Sequence, residues 1–308
     1  MQNKLKLTIG ISAYNEASNI KRLLLSLISQ DSNDYELDQI IIVSDGSTDG
    51  TVDEVRSLES NNIVLLEHKV RKGKAIRQNE ISIIASSDVV LIMDADVIPK
   101  DKNFLDNMVR PFYANANLGI VGANAEPLPA ENFFEKVLNY SQAYKKEIYL
   151  ALNKTDNLYL CPGRSIAYSK NLTSQLEFPK TISGDVYSYL YAKKLGYDFY
   201  FQDMAIVYYR TPQNLHDHLN QSVRFIQGRR VLLRYFTPAT IQESYHIPTS
   251  LLLAKFFKFL FQHPVYCIFY SGILFSSFIF SFFTNKSNIL WQSSRTSKTL
   301  SNNTIQND

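Results

Sequence analysis

"VVLIMDADVIPKD", residues 89 to 101, runs five apolar residues into Asp94-Ala95-Asp96 and meets a proline three positions later. An unbroken apolar run of this length reads as a strand covered on both faces. Side chains two positions apart in an extended segment point the same way. Asp94 and Asp96 therefore crowd onto one side of the strand's end, where each raises the other's pKa. The pair calls for a cation beside it.

Working outward, the same pattern repeats. "KLTIGISAY", "DQIIIVSDGS" and "NIVLLEH" read as strands, separated by the helical stretches "EASNIKRLLLSLISQ", "DGTVDEVRSLES" and "KGKAIRQNEISIIASS". Strands spaced by helices imply right-handed crossovers and a parallel sheet. In such sheets ligands lie beyond the carboxyl ends of the strands. That rule gathers "SAYNE", "VSDGSTDGT" and "MDADV" onto one edge.

Composition narrows the class. The chain has 308 residues, 20% of them charged, with 19 Tyr and 19 Phe, so it can bury a large aromatic-rich core. A net charge of +3 gives no argument for nucleic acid. Cys161 and Cys267 form no CxxC or zinc spacing and read as packing residues in a reducing compartment. No apolar segment precedes the first strand, so no secretory signal is expected.

The edge has a chemistry. Asp94 and Asp96 are hard oxygen ligands suited to Mg²⁺ or Mn²⁺, ions that keep waters and share substrate phosphates. Asp45, followed by Gly46 and Ser47, can accept hydrogen bonds from a base or ribose at a tight turn. Lys72 and Lys74 bracket Gly73 at a helix start, offering charge and free N–H groups to a pyrophosphate. Taken alone, "DAD" also fits a helix N-cap or a solvated turn. A nucleotide diphosphate with a divalent ion satisfies all these groups together.

In this order "SAYNE", "VSDGSTDGT", "KGKAIRQN" and "DADV" resemble glycosyltransferase family 2, the inverting transferases with a GT-A nucleotide-sugar fold and a DXD metal motif. "SGDVYSYLYAKKLGY" stands where the family has "TED" or "GED", a catalytic carboxylate opening a helix. "QSVRF", Gln221 to Phe225, is similar to the "QxxRW" motif of membrane-embedded polysaccharide synthases. The resemblance implies that Asp45 contacts the nucleobase, with Tyr14 and Glu16 lining its pocket, and that Lys74 reaches the nucleotide. It implies a metal on Asp94 and Asp96, Asp185 as general base, and Gln221 with Arg224 bracketing the diphosphate or the acceptor. Gly184 replaces a common glutamate and Phe225 the usual tryptophan, which bears more on acceptor and processivity than on donor. As alternatives, Asp185 reads as an N-cap and Arg224 as part of a solvated helix face. Arg164 in "CPGRSIAYSK" would meet acceptor or phosphate, or else lie on a surface turn.

The C-terminal part changes solvent. "PVYCIFYSGILFSSFIFSFF", residues 264–283, carries no charge. Twenty helical residues reach ~30 Å, a bilayer core. Before it, Lys255, Lys258 and Gln262 make one polar face on an otherwise apolar helix, the pattern of an interfacial helix. A stripe of Phe133, Val137, Tyr140, Tyr144, Ile148 and Ala151 marks another helix as core, or as facing membrane or acceptor entry. Basic residues flank the apolar run, with Arg229, Arg230, Arg234, Lys255 and Lys258 before it and Lys286, Arg295 and Lys298 after. Their count favours a cytoplasmic catalytic side.

The expectation is thus an α/β, GT-A-like domain with a mostly parallel central sheet over 1–235, an interfacial helical segment over 236–263, a single transmembrane helix over 264–284 and a disordered polar tail over 285–308. It would be a cell-membrane transferase moving a sugar, expected from UDP, to a hydroxyl of a glycan or lipid-linked acceptor. The alternatives are a polyprenyl-phosphate sugar synthase, a sugar-1-phosphate nucleotidyltransferase and an inactive membrane-tethered sugar-nucleotide binder. A nucleotidyltransferase would carry a Gly-rich N-terminal loop followed by an arginine, a pattern missing from "TIGISAYNEASN".

Overall fold

The computed structural model describes residues 3–180, 184–283, 298 and 300. The polar tail expected over 285–308 otherwise lies outside the described residues. Two compact units emerge, Met1–Glu126 with Leu160–Tyr209, and Pro127–Tyr159 with Arg210–Asp308.

The first unit begins with β1 (Leu5–Ala13), α1 (Ile20–Ile28), β2 (Tyr35–Asp45), α2 (Thr51–Arg56), β3 (Ile63–His68), α3 (Lys74–Ile84) and β4 (Val89–Asp94). β1 pairs in parallel with both β2 and β4, and β2 in parallel with β3. The central residues of β1, β2 and β4 are buried, as their continuous apolar runs require. Register brings the polar ends level, because Ser12 lies beside Asp94, Ala13 beside Ser44, and Asp45 beside His68. The gathering of three polar segments on one edge is therefore a property of the sheet.

Helix spacing explains what covers it. α1 buries Ile20, Leu23, Leu24 and Leu27, a stripe of helical period. Truncating one of these leucines to alanine should cost about 2–5 kcal/mol. α3 comes so close to β1 that a Cβ on Gly10 would lie 2.3 Å from the Ile81 side chain.

The chain continues through β5 (Val97–Pro99), α4 (Phe104–Val109), α5 (Pro111–Ala114) and β6 (Leu118–Pro127). After α6 (Phe133–Leu150), which belongs to the second unit, come β7 (Ser165–Ser169), α7 (Lys170–Thr173), α8 (Gly184–Lys194) and β8 (Asp198–Tyr209). β7 returns antiparallel beside β4, β6 lies antiparallel to β7, and β5 pairs antiparallel with β8. The sheet order is β3-β2-β1-β4-β7-β6-β8-β5. β1, β2, β3, β4 and β6 share one direction, so the sheet is mostly parallel.

The second unit adds α9 (Leu215–Leu232), α10 (Pro238–Ser244), α11 (Thr249–Gln262) and α12 (Pro264–Phe283) to α6. Asn132 caps α6 by accepting the Glu135 N–H, and the Glu135 carboxylate accepts the Glu131 N–H one residue before the cap. The apolar stripe of α6 is a packing seam for the C-terminal helices. Tyr140 stacks on Tyr266, and Tyr144 on Phe259. Lys255 and Lys258 do not simply face water, since both bond Glu147 of α6. Over Pro264–Ser281 α12 is long and apolar enough to cross a membrane, by length and composition.

Candidate active site

The carboxyl end of β4 is where chemistry gathers. Asp94 is the last residue of β4, and its N–H bonds the Arg164 carbonyl at 2.9 Å. Antiparallel pairing of Met93 with Ser165 forces this approach, carrying Pro162-Gly163-Arg164 to the "DAD" turn. Lys74, the first residue of α3, sends its ammonium to the Asp94 carboxylate and to the Gly163 carbonyl at 3.3 Å. The cation demanded by the acidic pair is thus a lysine of the same edge. Asp96, two residues on, is partly exposed.

Asp185 joins this group. α8 begins at Gly184, so Asp185 sits inside the first turn, one step past the N-cap position that sequence suggested. Its carboxylate accepts the Val186 N–H at 2.9 Å and the Gly163 N–H at 3.3 Å. Burial pushes its carboxyl above the usual range, opposed by those N–H groups and Lys74 and reinforced by nearby Asp94. A carboxylate held this way is a better base than a solvated one. At Gly184 a Cβ would lie 3.0 Å from both the Gln78 amide oxygen and the Phe178 ring, so a larger residue there requires those side chains to shift.

Asp45 faces inward. Its two oxygens accept the Lys72 and Gly73 N–H groups, each at 2.8 Å, and the Arg77 Nε–H at 2.7 Å. Arg77 is fully buried and also bonds Glu80 and the Val70 carbonyl. Asp45 therefore shapes the "KGK" loop, which turns at Gly73 with φ +99°. The sequence reading missed Arg77. It lies within "KGKAIRQN", but nothing local distinguishes a buried helical arginine from a solvated one.

Tyr14 carries the Arg71 guanidinium 3.7 Å above its ring, so cation–π contact fixes its orientation. Glu16 is buried and accepts from Asn19 at 3.0 Å, at the start of α1. The Arg164 guanidinium stacks 3.5 Å from the Tyr209 ring. Gln221 and Arg224 lie on α9 in the second unit, both partly exposed, and Phe225 there is exposed. Both cysteines are free and buried, as packing residues are.

Donor chemistry at Asp94 and Asp96 suits a divalent ion. No cluster of three or more His, Cys, Asp or Glu side chains forms a metal cage among the described residues. Mg²⁺ and Mn²⁺ held with a diphosphate need only one or two carboxylates, and Asp94 and Asp96, both partly exposed, are carboxylates of that kind.

Comparison with known proteins bears on the family and the fold. The family model described as glycosyl transferase family 2 matches residues 8–176. A poly-beta-1,6-N-acetyl-D-glucosamine synthase of Staphylococcus epidermidis is 26% identical over 237 residues, 74% of this chain and 56% of that protein. The chain thus spans little more than half the length of that relative. Among solved structures, a mannosyltransferase from Pyrobaculum calidifontis in complex with GDP-Man and Mn²⁺ superposes with TM-score 0.65. It is 20% identical, and the match covers 92% of this chain and 89% of the other. Glucosyl-3-phosphoglycerate synthase from Mycobacterium tuberculosis, in complex with Mn²⁺ and UDP-glucose, gives TM-score 0.54 at 17% identity, covering 75% and 79%. Both share the α/β fold of the first unit.

Proposed function

The chain belongs to glycosyl transferase family 2, and from that premise we propose that it transfers a sugar, with inversion, from a nucleotide diphosphate sugar to a hydroxyl acceptor at a membrane. The observation that carries the reading is the convergence of Lys74, Asp94, Gly163 and Asp185 at the end of β4.

Asp94 and Asp96 would hold Mg²⁺ or Mn²⁺. The ion, when bound, neutralises charge on the diphosphate as it departs. Lys74 stands within reach of the same phosphates and can exchange Asp94 for them. Asp185 takes the proton from the acceptor hydroxyl as that oxygen attacks the anomeric carbon, and the diphosphate leaves on the opposite face. With the acceptor oxygen itself the nucleophile and Asp185 its base, a single displacement inverts the anomeric carbon. Asp45 and Tyr14 would set the base-binding wall, Asp45 through the "KGK" loop as well as by contact, with Glu16 behind it. Gln221 and Arg224 would bracket the diphosphate or the acceptor.

The raised carboxyl of Asp185 favours a hydroxyl acceptor, which needs deprotonation, over a polyprenyl phosphate, which does not. UDP is the proposed carrier, on the resemblance to glycosyltransferase family 2 that "SAYNE", "VSDGSTDGT", "KGKAIRQN" and "DADV" carry. A glycan or lipid-linked glycan at the cytoplasmic face of the cell membrane is the proposed acceptor, from the apolar C-terminal helices and their basic flanks. Membranes carrying the protein, incubated with a panel of nucleotide sugars and scored for released nucleotide, test this. Release from no nucleotide sugar, with or without added acceptor glycans, would leave only the inactive-binder reading.

A further inference from the structure

α12 has the length of a spanning helix and the surroundings of one lying flat. Cys267, Tyr270, Ile273 and Ser277 are buried at three- and four-residue spacings along one side. α12 packs against α6 and α9. On its other sides Val265, Ile268, Phe269, Phe275 and Phe278 are exposed, between 53% and 66%.

The helices beneath it are charged. On α6, Lys136 and Lys145 approach the rings of Tyr266 and Tyr270 at 6.0 and 5.2 Å. α9 carries Asp217, Arg224, Arg229 and Arg230. Groups this polar belong at or outside the headgroups. If Tyr270 marks the boundary, Ser271 to Phe283 extend only ~20 Å at ~1.5 Å per residue. Counting instead from buried Ser277, the remainder is ~9 Å. A hydrocarbon core is ~30 Å thick, and neither segment crosses it.

α11 repeats the arrangement. Lys255 and Lys258 turn inward onto Glu147, while Leu253, Phe257 and Phe261 are exposed at 50%, 50% and 83%. Charge marks the same unit. Its sequence holds fourteen Lys and Arg against seven Asp and Glu, whereas the first unit holds eighteen against twenty-two. Apolar faces within a basic unit match an anionic lipid surface.

We propose that α11 and α12 lie in the plane of an anionic phospholipid leaflet, apolar faces in the headgroup–acyl boundary, and that α12 does not cross. The inference rests on the membrane association proposed above. It places the chain after Phe283 on the same side as the catalytic unit.

The test uses full-length protein in cells. Single cysteines are introduced at Asn303→Cys in the tail and Glu59→Cys on the first unit, and labelled with a membrane-impermeant maleimide. Both should label in inside-out vesicles and neither in intact cells. Labelling of the tail from the side opposite Glu59→Cys shows that α12 spans, which overturns the in-plane placement and leaves membrane association standing. Recovery of the protein in the supernatant of pelleted membranes overturns both. Purified Phe261→Asp/Ile268→Asp protein should bind phosphatidylglycerol-containing vesicles at least tenfold more weakly than the parent. Unchanged vesicle binding, with a parental dimer turned monomeric, would mean a second copy covers these faces and would sink the proposal.

Discussion

The ammonium of Lys74 rests on the carboxylate of Asp94, and the same nitrogen lies 3.3 Å from the Gly163 carbonyl. One residue of α3 thus joins the end of β4 to the loop that leads into β7. The lysine supplies the positive charge that two neighbouring carboxylates require, and it does so from a position that a diphosphate and its metal would claim.

From this follows the metal requirement. Excess chelator should abolish transfer, and Mn²⁺ or Mg²⁺ should restore it. Asp96→Ala should weaken nucleotide binding measured by calorimetry in Mn²⁺ at least about tenfold, roughly 1.4 kcal/mol. Full turnover in excess chelator would count against a metal at this pair.

Arg77 offers a stability test. It is fully buried against Asp45 and also holds Glu80 and the Val70 carbonyl. Arg77→Leu leaves Asp45 buried with two backbone donors and no counter-charge. Breaking such a pair from one side costs about 3–5 kcal/mol, read from the shift in urea midpoint. Arg56→Leu is the control, because Arg56 and Glu67 are both exposed. Its cost should stay below about 1 kcal/mol. Equal losses at the two sites would refute the role given to burial.

His218 on α9 supplies a pH signature. Burial, assisted by Lys145, lowers its pKa to about 4 from the ordinary 6.5. The unfolded chain protonates this ring first as pH falls. Stability contributed by neutral His218 is therefore full above pH 6.5 and is lost between about 6.5 and 4. Histidine C2–H shifts followed by NMR should show one ring, removed by His218→Gln, titrating near the lower value.

How far the sequence could be read follows from which interactions are local. Continuous apolar runs placed β1, β2 and β4 and gathered their polar ends, since sidedness is written in each strand. α12 is visible from its start because Pro264 opens it and no charge interrupts the run that follows. The antiparallel return of β7 beside β4 was not visible, for its pairing joins residues more than seventy positions apart. Arg77 was opaque for a related reason, since only the closed fold decides that it is buried. The polar face of α11 was correctly seen as polar, but its partner Glu147 lies over a hundred residues upstream.

Asp185 gives the test that separates binding from chemistry. Its carboxylate accepts N–H groups from Val186 and Gly163, and burial raises its pKa. Asparagine keeps the shape and one acceptor oxygen, which can hold the Val186 N–H and with it the first turn of α8, while the longer Gly163 contact at 3.3 Å is given up. A raised pKa means the folded state prefers the protonated acid. Asp185 thus contributes most to stability below the unfolded value of 3.8, and that contribution is lost as pH rises through the folded pKa. Above this window Asp185→Asn should melt at or slightly above the parent temperature. Turnover should move the other way. General-base assistance is worth about 10²–10⁴-fold, so transfer should fall at least about a hundredfold, with calorimetric nucleotide and metal affinity nearly unchanged. In the parent, kcat/KM should climb with pH through the raised pKa, and that limb should vanish in the variant. A variant that keeps near-normal turnover would reduce Asp185 to a packing residue and favour an acceptor that carries its own negative charge.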